Sequence, residues 1–315
     1  MFELLQHISS LASFAAHRAQ RERADGVVLR ELTAVPLPLP AGLELEWLGT
    51  AGYRLSCEQH TLFIDPYLSR VPLRAVLRGE RALPDRPLLE RLLGGISGKV
   101  AGVLVGHCHF DHALDVPAIA RHFGASAYGS ASLVRLMELH GLGESAVRVE
   151  PHRRYELGPF TVTFVPSEHS KLVLGHRVPF DGELTCEHLD ALSPAAYKCG
   201  QVWGIRIEVG GTSFYHQGSA NLLDDEIPRR PVDIFLAGIA GRRFTRDYWS
   251  RILGRLEPKV VVPSHFDDFF RPLGAPFGFS TNVNLAAFPD EIRKVSADFT
   301  LASLPVSSMS ATPSS

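Results

Sequence analysis

Residues 103–112 read Val-Leu-Val-Gly-His-Cys-His-Phe-Asp-His, an apolar strand pattern followed at once by three histidines and an aspartate. A buried strand gives a rigid support, and the loop that leaves it can turn several imidazole nitrogens and a carboxylate toward a common centre. An isolated histidine is usually a core or surface residue, but four ligand-type side chains this close together are difficult to explain without a metal. We therefore predict a divalent metal site at His107, His109, Asp111 and His112.

Short apolar segments precede and follow this stretch along most of the chain. Many are rich in β-branched and aromatic residues or alternate between apolar and polar side chains, which is typical of β-strands. The predicted strands are residues 43–48, 61–64, 100–105, 160–165, 202–209, 212–216, 232–237 and 259–262. The predicted helices are residues 115–123, 132–140 and 245–256. Strands in quick succession followed by helices, twice along the chain, indicate an α/β fold of two packed sheets with helices outside.

Length and composition favour one main folded domain. The 315 residues are 45% hydrophobic and 21% charged, as in ordinary soluble globular proteins. We predict an amphipathic helix within residues 1–24, a proline-rich connector up to residue 42 and a main domain over residues 43–302. The Ser-, Thr- and Pro-rich residues 303–315 are predicted to form a disordered tail.

Charge and cysteine content exclude several classes of protein. A formal net charge of -2 offers no general excess of Lys and Arg for a nucleic acid partner. The 4 cysteines form no CxxC pair, so a reducing, cytoplasmic location is expected and a disulfide framework is not. The first helix lacks the basic start and cleavage site of a signal peptide, and no apolar run approaches the roughly 20 residues of a membrane span. Packing of this helix on the main domain is favoured, with a peripheral membrane contact as the alternative.

The motif and its surroundings resemble one known superfamily. Residues 107–112 match HxHxDH, the signature of the metallo-β-lactamase superfamily, and the resemblance extends over residues 43–290. Residues 47–53 and 63–67 look like the opening hairpin of that family and the Ile-Asp-Pro turn ahead of its metal region. The resemblance implies an αββα sandwich and a metal-dependent hydrolase. It is nearest to the branch that includes ascorbate-6-phosphate lactonase-like enzymes and N-acyl-phosphatidylethanolamine phospholipase D-like hydrolases.

The resemblance also implies ligands at later strand ends. His169 follows the predicted strand 160–165, and His265 follows the predicted strand 259–262. The implied ligands are, for one metal, His107, His109 and His169 and, for a second, Asp111, His112 and His265. Zinc is the expected metal, as one or two ions, with manganese or iron as alternatives.

One position departs from the family pattern. The family usually carries a Gly-Asp pair whose carboxylate bridges the two metals, whereas Gly218 is followed here by Ser219. A neutral hydroxyl is a poor bridge between two cations, so the second metal site should be weaker or differently built. His216 is a candidate substitute ligand, and Asp65 is a candidate hydrogen-bond partner for a ligand imidazole. Acidic side chains that could supply charge instead are Asp224, Asp225 and Asp267.

Metal chemistry then predicts the reaction type. A divalent ion generates a nucleophilic hydroxide from water and polarises a substrate oxygen, and the Asp111 carboxylate could orient that water or accept its proton. We predict hydrolysis of an ester, lactone or phosphodiester bond in a small molecule. Residues 170–200 and 269–279 are expected near the site, the latter supplying aromatic side chains for an apolar part of the substrate. The alternatives are iron-dependent thiol or oxygen chemistry on the same fold and a metal-binding protein without catalytic activity.

Overall fold

The strands of the protein form two mixed sheets. A computed structural model describes residues 17–173, 175–281 and 283–305. Within these residues the first sheet has six strands, adjacent in chain order: β1 Leu43–Gly49, β2 Gly52–Cys57, β3 His60–Ile64, β4 Lys99–Leu104, β5 Ala127–Gly129 and β6 Ala146–Arg148. The second sheet has seven, also adjacent in chain order: β7 Arg154–Leu157, β8 Phe160–Ser167, β9 Val202–Val209, β10 Thr212–Gln217, β11 Ile234–Gly238, β12 Val260–Ser264 and β13 Thr300–Leu301.

Both sheets change from antiparallel to parallel pairing along the chain. Strands β1 to β3 are antiparallel neighbours and β3 to β6 are parallel. In the same way, β7 to β10 are antiparallel and β10 to β13 are parallel. Parallel neighbours need a crossover connection, and helices fill most of these crossovers. The helices in chain order are α1 Arg18–Thr33, α2 Leu73–Arg78, α3 Arg86–Leu93, α4 Phe110–Ala113, α5 Val116–Phe123, α6 Ala131–Leu139, α7 Tyr248–Leu256 and α8 Phe288–Arg293.

Alternate side chains of the central strands enter two different cores. Leu62 and Ile64 of β3 pack in the core between the sheets, together with Phe164 of β8. Phe63 lies between them in the sequence and packs instead in a second core, with residues of α5 and α6. This alternation is the two-residue period of a strand that is buried on both faces. The predicted α/β fold of two packed sheets with helices outside is therefore confirmed.

Helix α1 packs on the main domain. Leu32 is buried, and the Asp25 carboxylate accepts a hydrogen bond from the Ala286 amide at 2.7 Å. Residues 1–16, which hold most of the predicted first helix, lie outside the described residues, and α1 ends at Thr33, beyond the predicted end at residue 24. None of the helices in the described part of the chain is long and apolar enough to cross a membrane.

The chain is still packed where the disordered tail was predicted to begin. Ser303 is 3% exposed, and its amide donates a hydrogen bond to the Leu32 carbonyl at 2.9 Å. The segment directly after β13 is thereby attached to α1. Residues 306–315, which contain most of the predicted tail, lie outside the described residues.

Strand ends from both sheets meet at one edge of the sandwich. In the first sheet, β3 ends directly before Asp65 and β4 ends shortly before His107. In the second, β8 ends shortly before His169 and β12 ends directly before His265. The His265 amide donates a hydrogen bond to the carbonyl of Thr50, in the β1–β2 turn, at 2.8 Å. Residues far apart in the sequence are therefore neighbours at this edge.

Candidate metal centre

Three buried histidines form the first group of convergent side chains. The candidate ligand atoms of His107, His109 and His169 all lie within 4.8 Å of one another. Nε2 of His107 is 3.1 Å from Nδ1 of His109. Burial, together with the positive charge of neighbouring histidines, holds the pKa of His107 and of His169 well below the usual value. Burial also lowers the pKa of His109, to about 4. The three imidazoles are neutral at pH 7 and present lone pairs, as divalent metals require.

Backbone carbonyls fix the orientation of two of these rings. The Nε2–H of His109 donates to the Pro179 carbonyl at 2.7 Å, which leaves Nδ1 unprotonated and facing His107. The Nδ1–H of His169 donates to the Ser170 carbonyl at 2.7 Å, which leaves Nε2 as the free lone pair. Such bonds set the tautomer and direction of a metal-binding histidine before the metal arrives.

Asp111, His112 and His265 form the second group, whose candidate ligand atoms also lie within 4.8 Å of one another. Oδ2 of Asp111 lies 3.2 Å from Nε2 of His265 and 3.8 Å from Nε2 of His112. Burial alone would raise the pKa of Asp111, but the charges of His112 and His265 outweigh burial and hold this pKa below its usual range. A charged carboxylate beside two imidazoles is a donor set that suits a divalent cation.

Asp65 contacts the second group through the imidazole of His112. Its Oδ2 accepts hydrogen bonds from Nδ1 of His112 and Nε2 of His216, both at 2.9 Å, and its Oδ1 accepts one from the Gly106 amide at 2.6 Å. The carboxylate is fully buried. Burial would raise its pKa, but the charge of His112 and the hydrogen bonds from both histidines lower it below the usual range. The structure thus places Asp65 against a candidate ligand imidazole.

The candidate substitutes for a bridging carboxylate do not join either group. His216 directs Nε2 to Asp65, and it belongs to neither set of convergent atoms among the described residues. The hydroxyl of Ser219 accepts a hydrogen bond from the Ser170 amide at 3.1 Å. Asp224 pairs with Arg251, and the side chain of Asp225 is fully exposed. Asp267 pairs with Arg70.

A cavity of about 370 Å³ opens over both groups. Part of its wall comes from residues 170–200, through Leu172, Pro179 and Phe180, and part comes from Phe269 and Phe270. The ring centroid of Phe269 lies 5.4 Å from that of His265, and the centroid of Phe180 lies 6.3 Å from that of His109. The cavity is therefore mainly apolar above a polar floor.

Arg243 is a cavity residue that the sequence did not indicate. It lies after β11, and its guanidinium carbon is 4.6 Å from the ring centroid of Phe244, another wall residue. No motif marks this arginine in the sequence. The available signal was its position shortly after a parallel strand, because His107 and His265 also follow parallel strands.

Comparison with known proteins identifies the family. The family model described as the beta-lactamase superfamily domain matches residues 60–266. The chain belongs to this superfamily. The resemblance to the metallo-β-lactamase fold is thereby confirmed, while the nearest branch stays a prediction.

Relatives of this superfamily member share most of its length. A metal-dependent hydrolase of Carboxydothermus hydrogenoformans is 28% identical over 232 residues, which are 71% of this chain and 85% of the relative. A metal-dependent hydrolase of Anaeromyxobacter sp. strain K is 28% identical over 256 residues, covering 78% of this chain and 82% of the relative.

Solved structures agree on the fold. Igni18, a metallo hydrolase of the archaeon Ignicoccus hospitalis, aligns with a TM-score of 0.51 and 18% identity over 83% of this chain and 94% of its own. CmlA, a diiron β-hydroxylase of Streptomyces venezuelae, aligns with a TM-score of 0.53 and 17% identity over 85% of this chain and 53% of its own.

Proposed function

We propose that this protein is a metal-dependent hydrolase that cleaves an ester, lactone or phosphodiester bond in a small substrate with an apolar part. The observation that carries the proposal is the cavity floor, where the two groups of ligand-type side chains lie side by side. The relatives named as metal-dependent hydrolases, which align over most of their length, support the reaction class.

The three neutral histidines would hold the more tightly bound ion, preferably zinc. Their nitrogens are desolvated, and backbone carbonyls orient the rings of His109 and His169, so little rearrangement is needed on binding. The group of Asp111, His112 and His265 would hold a second ion more weakly, because Ser219 brings no negative charge between the two positions. Bound divalent metal supplies a water molecule of lowered pKa and polarises a carbonyl or phosphoryl oxygen.

The Asp111 carboxylate orients the nucleophilic water. Because its pKa lies below the usual range, the carboxylate is charged at neutral pH and is a stronger hydrogen-bond acceptor and ligand than it is a base. His112 keeps Nε2 directed at Asp111 because its Nδ1–H is bound to Asp65. These residues act mainly by positioning.

The cavity walls suit an apolar group attached to the scissile bond. Phe180, Phe269 and Phe270 exclude water and offer aromatic surface to an acyl or aryl group. Arg243 supplies a positive charge in the same wall for an anionic group, such as a phosphodiester or the oxygen that becomes negative during hydrolysis. The volume lies at the lower end of the range, about 300 to 1,000 Å³, that is usual for small-molecule pockets.

A substrate panel with metal-loaded protein tests the proposal. Zinc-loaded protein should hydrolyse at least one of a series of aryl esters of rising acyl length, acyl lactones and an aryl phosphodiester. A metal chelator should abolish this activity and zinc should restore it, whereas His107→Ala should stay inactive under both conditions. Folded, zinc-loaded protein that fails on the whole panel would favour a metal-binding role without catalysis.

Metal analysis of the purified protein tests the oxidative alternative. The likeness to CmlA concerns the fold alone, so the identity of the metal needs its own measurement. We expect zinc by elemental analysis and no oxygen consumption with thiols. Iron as the bound metal, together with thiol-dependent oxygen uptake, would replace hydrolysis by oxygen chemistry.

A further inference from the structure

A buried ion pair lies beside the second group of candidate ligands. Nη1 of Arg70 is 3.0 Å from Oδ2 of Asp267, and the two side chains are only 4% and 8% exposed. Asp267 follows His265 closely in the sequence, whereas Arg70 lies between β3 and α2. Removing two charges from water is costly, so a buried pair needs further contacts to hold it.

These further contacts converge on Thr50, in the β1–β2 turn. Oδ1 of Asp267 accepts a hydrogen bond from the Thr50 amide at 2.8 Å, and Nη1 of Arg70 donates to the Thr50 hydroxyl at 3.0 Å. Nη2 of Arg70 donates to the Leu48 carbonyl at 3.3 Å. The Thr50 carbonyl accepts the hydrogen bond from the His265 amide. A continuous chain of contacts therefore leads from the ion pair to a candidate ligand.

The backbone at these residues is in an unfavourable conformation. Thr50, Arg70 and His265 have positive φ angles of 53°, 47° and 60°. This left-handed region is disfavoured for residues with a Cβ atom, most of all for a β-branched threonine, and it persists only where the surroundings impose it. Without such contacts the backbone at His265 would relax toward a common conformation, and its imidazole would point elsewhere.

Gly49 makes room for the arginine. A Cβ atom added at Gly49 would lie 1.9 Å from Nη2 of Arg70 and 3.0 Å from Oδ2 of Asp267. The guanidinium thus lies directly against the backbone of the turn. Its planar fork can serve the carboxylate, the threonine hydroxyl and a carbonyl together, which a lysine ammonium on a flexible chain cannot do in the same geometry.

We propose that Arg70 and Asp267 are positioning residues that hold His265 in the conformation in which Nε2 faces Asp111, and that they thereby set the metal affinity of the second group. The inference rests on the proposed function, because it assumes that this group binds metal. It makes no use of the three-histidine group, which has separate contacts with Pro179 and Ser170.

Zinc titration of metal-free protein, in competition with a chromogenic chelator, tests the inference. Arg70→Met should weaken the second binding event about 10- to 100-fold, the usual effect of removing a group that orients a ligand, and should leave the first event within about twofold. Arg70→Lys should recover part of the loss because it restores the charge. Asp267→Asn keeps an acceptor for the Thr50 amide, and it serves as the second variant if Arg70→Met does not fold.

Arg206→Met is the matched control for loss of a partly buried arginine. Arg206 is 12% exposed in its side chain, pairs with Glu208 in β9 and donates to the carbonyls of Arg230 and Pro231, none of them in the ligand groups. The Arg206→Met variant should leave the affinities of both zinc-binding events unchanged.

Three results would overturn the inference: an unchanged second event in folded Arg70→Met and Asp267→Asn, an equal loss of both events, or no second event in the wild type. None of these three results contradicts hydrolysis by the three-histidine group. Failure of the proposed function would be observed in a separate experiment, in which zinc-loaded wild-type protein is inactive on the substrate panel.

Discussion

Ser219 is the residue on which the number of metal ions depends. It stands where the resemblance to the superfamily leads one to expect a bridging aspartate, and its hydroxyl is instead bound to the Ser170 amide next to His169. Two divalent ions placed close together repel each other, and a neutral hydroxyl does little to reduce this repulsion. The second ion should therefore bind with lower affinity than the first.

Replacing Ser219 by aspartate should raise the affinity for the second ion. We expect about one zinc per chain after gel filtration for the wild type and close to two for Ser219→Asp, because the new charge attracts both cations. Elemental analysis against protein concentration measures the ratio. Ser219→Ala, which removes the hydroxyl without adding charge, should stay near one, and two tightly held ions in the wild type would refute the prediction.

The convergence of candidate ligands was easiest to predict where the signal was local. His107 to His112 are contiguous, so their clustering could be read directly. His169 and His265 were implied by the resemblance to the superfamily, which expects ligands after later strands, and each follows a predicted strand. His216 was considered as a ligand, but the structure directs its Nε2 to Asp65. Arg70 and Asp267 are 197 positions apart, and no local pattern links them. Their pairing depends on the fold that brings two turns together.

Elements of the sandwich differ in how strongly their sequences mark them. The long buried strands, such as β9, show continuous apolar or alternating patterns, and they were predicted. Strand β5 has only three residues, too few to display an alternating period. The predicted first helix lay within residues 1–24, and Asp25-Gly26, a dipeptide common in turns, follows directly. A tertiary contact outweighs that signal, because the Asp25 carboxylate is bound to the Ala286 amide.

Phe270, in the loop after β12, lines the cavity, and its substitution tests whether the apolar wall binds the substrate. Phe270→Ala should lower kcat/KM about tenfold for esters with long acyl groups and much less for acetyl esters, because the phenyl ring would contact only the longer chains. Steady-state kinetics over the acyl series measure the difference. Phe277→Ala, on the same loop but outside the cavity wall, is the control. An equal loss for short and long esters would contradict the proposed wall.

At the scale of the whole molecule, the candidate centre connects the two sheets. His107 and His109 follow β4 of the first sheet, and His169 follows β8 of the second. An ion held by all three would join the sheets at the edge where they meet. Such a ligand stabilises the folded state by mass action, because the unfolded chain does not bring the three side chains together.

Removal of metal should therefore lower the unfolding temperature. Free zinc at about 1,000 times its Kd contributes about 4 kcal/mol to the free energy of unfolding, enough for a shift of several degrees in Tm. Differential scanning calorimetry with and without chelator measures it. His107→Ala, which loses a ligand of the more tightly held ion, should show a clearly smaller shift, and an unshifted wild type would mean that metal does not link the sheets.

Metal binding and substrate selectivity depend on different parts of the chain. The candidate ligands follow the ends of strands whose side chains fill the cores, while much of the cavity wall belongs to residues 170–200 and to the loop after β12. Substitutions at wall residues of these loops, such as Leu172, Phe180, Phe269 and Phe270, can accumulate without disturbing the ligands. His265 itself, and the backbone at Pro179 and Ser170 that orients His109 and His169, have to be kept. Exchanging these wall residues between superfamily members is therefore a practical route to new substrate preferences on an unchanged reaction centre, and natural divergence has the same route open to it.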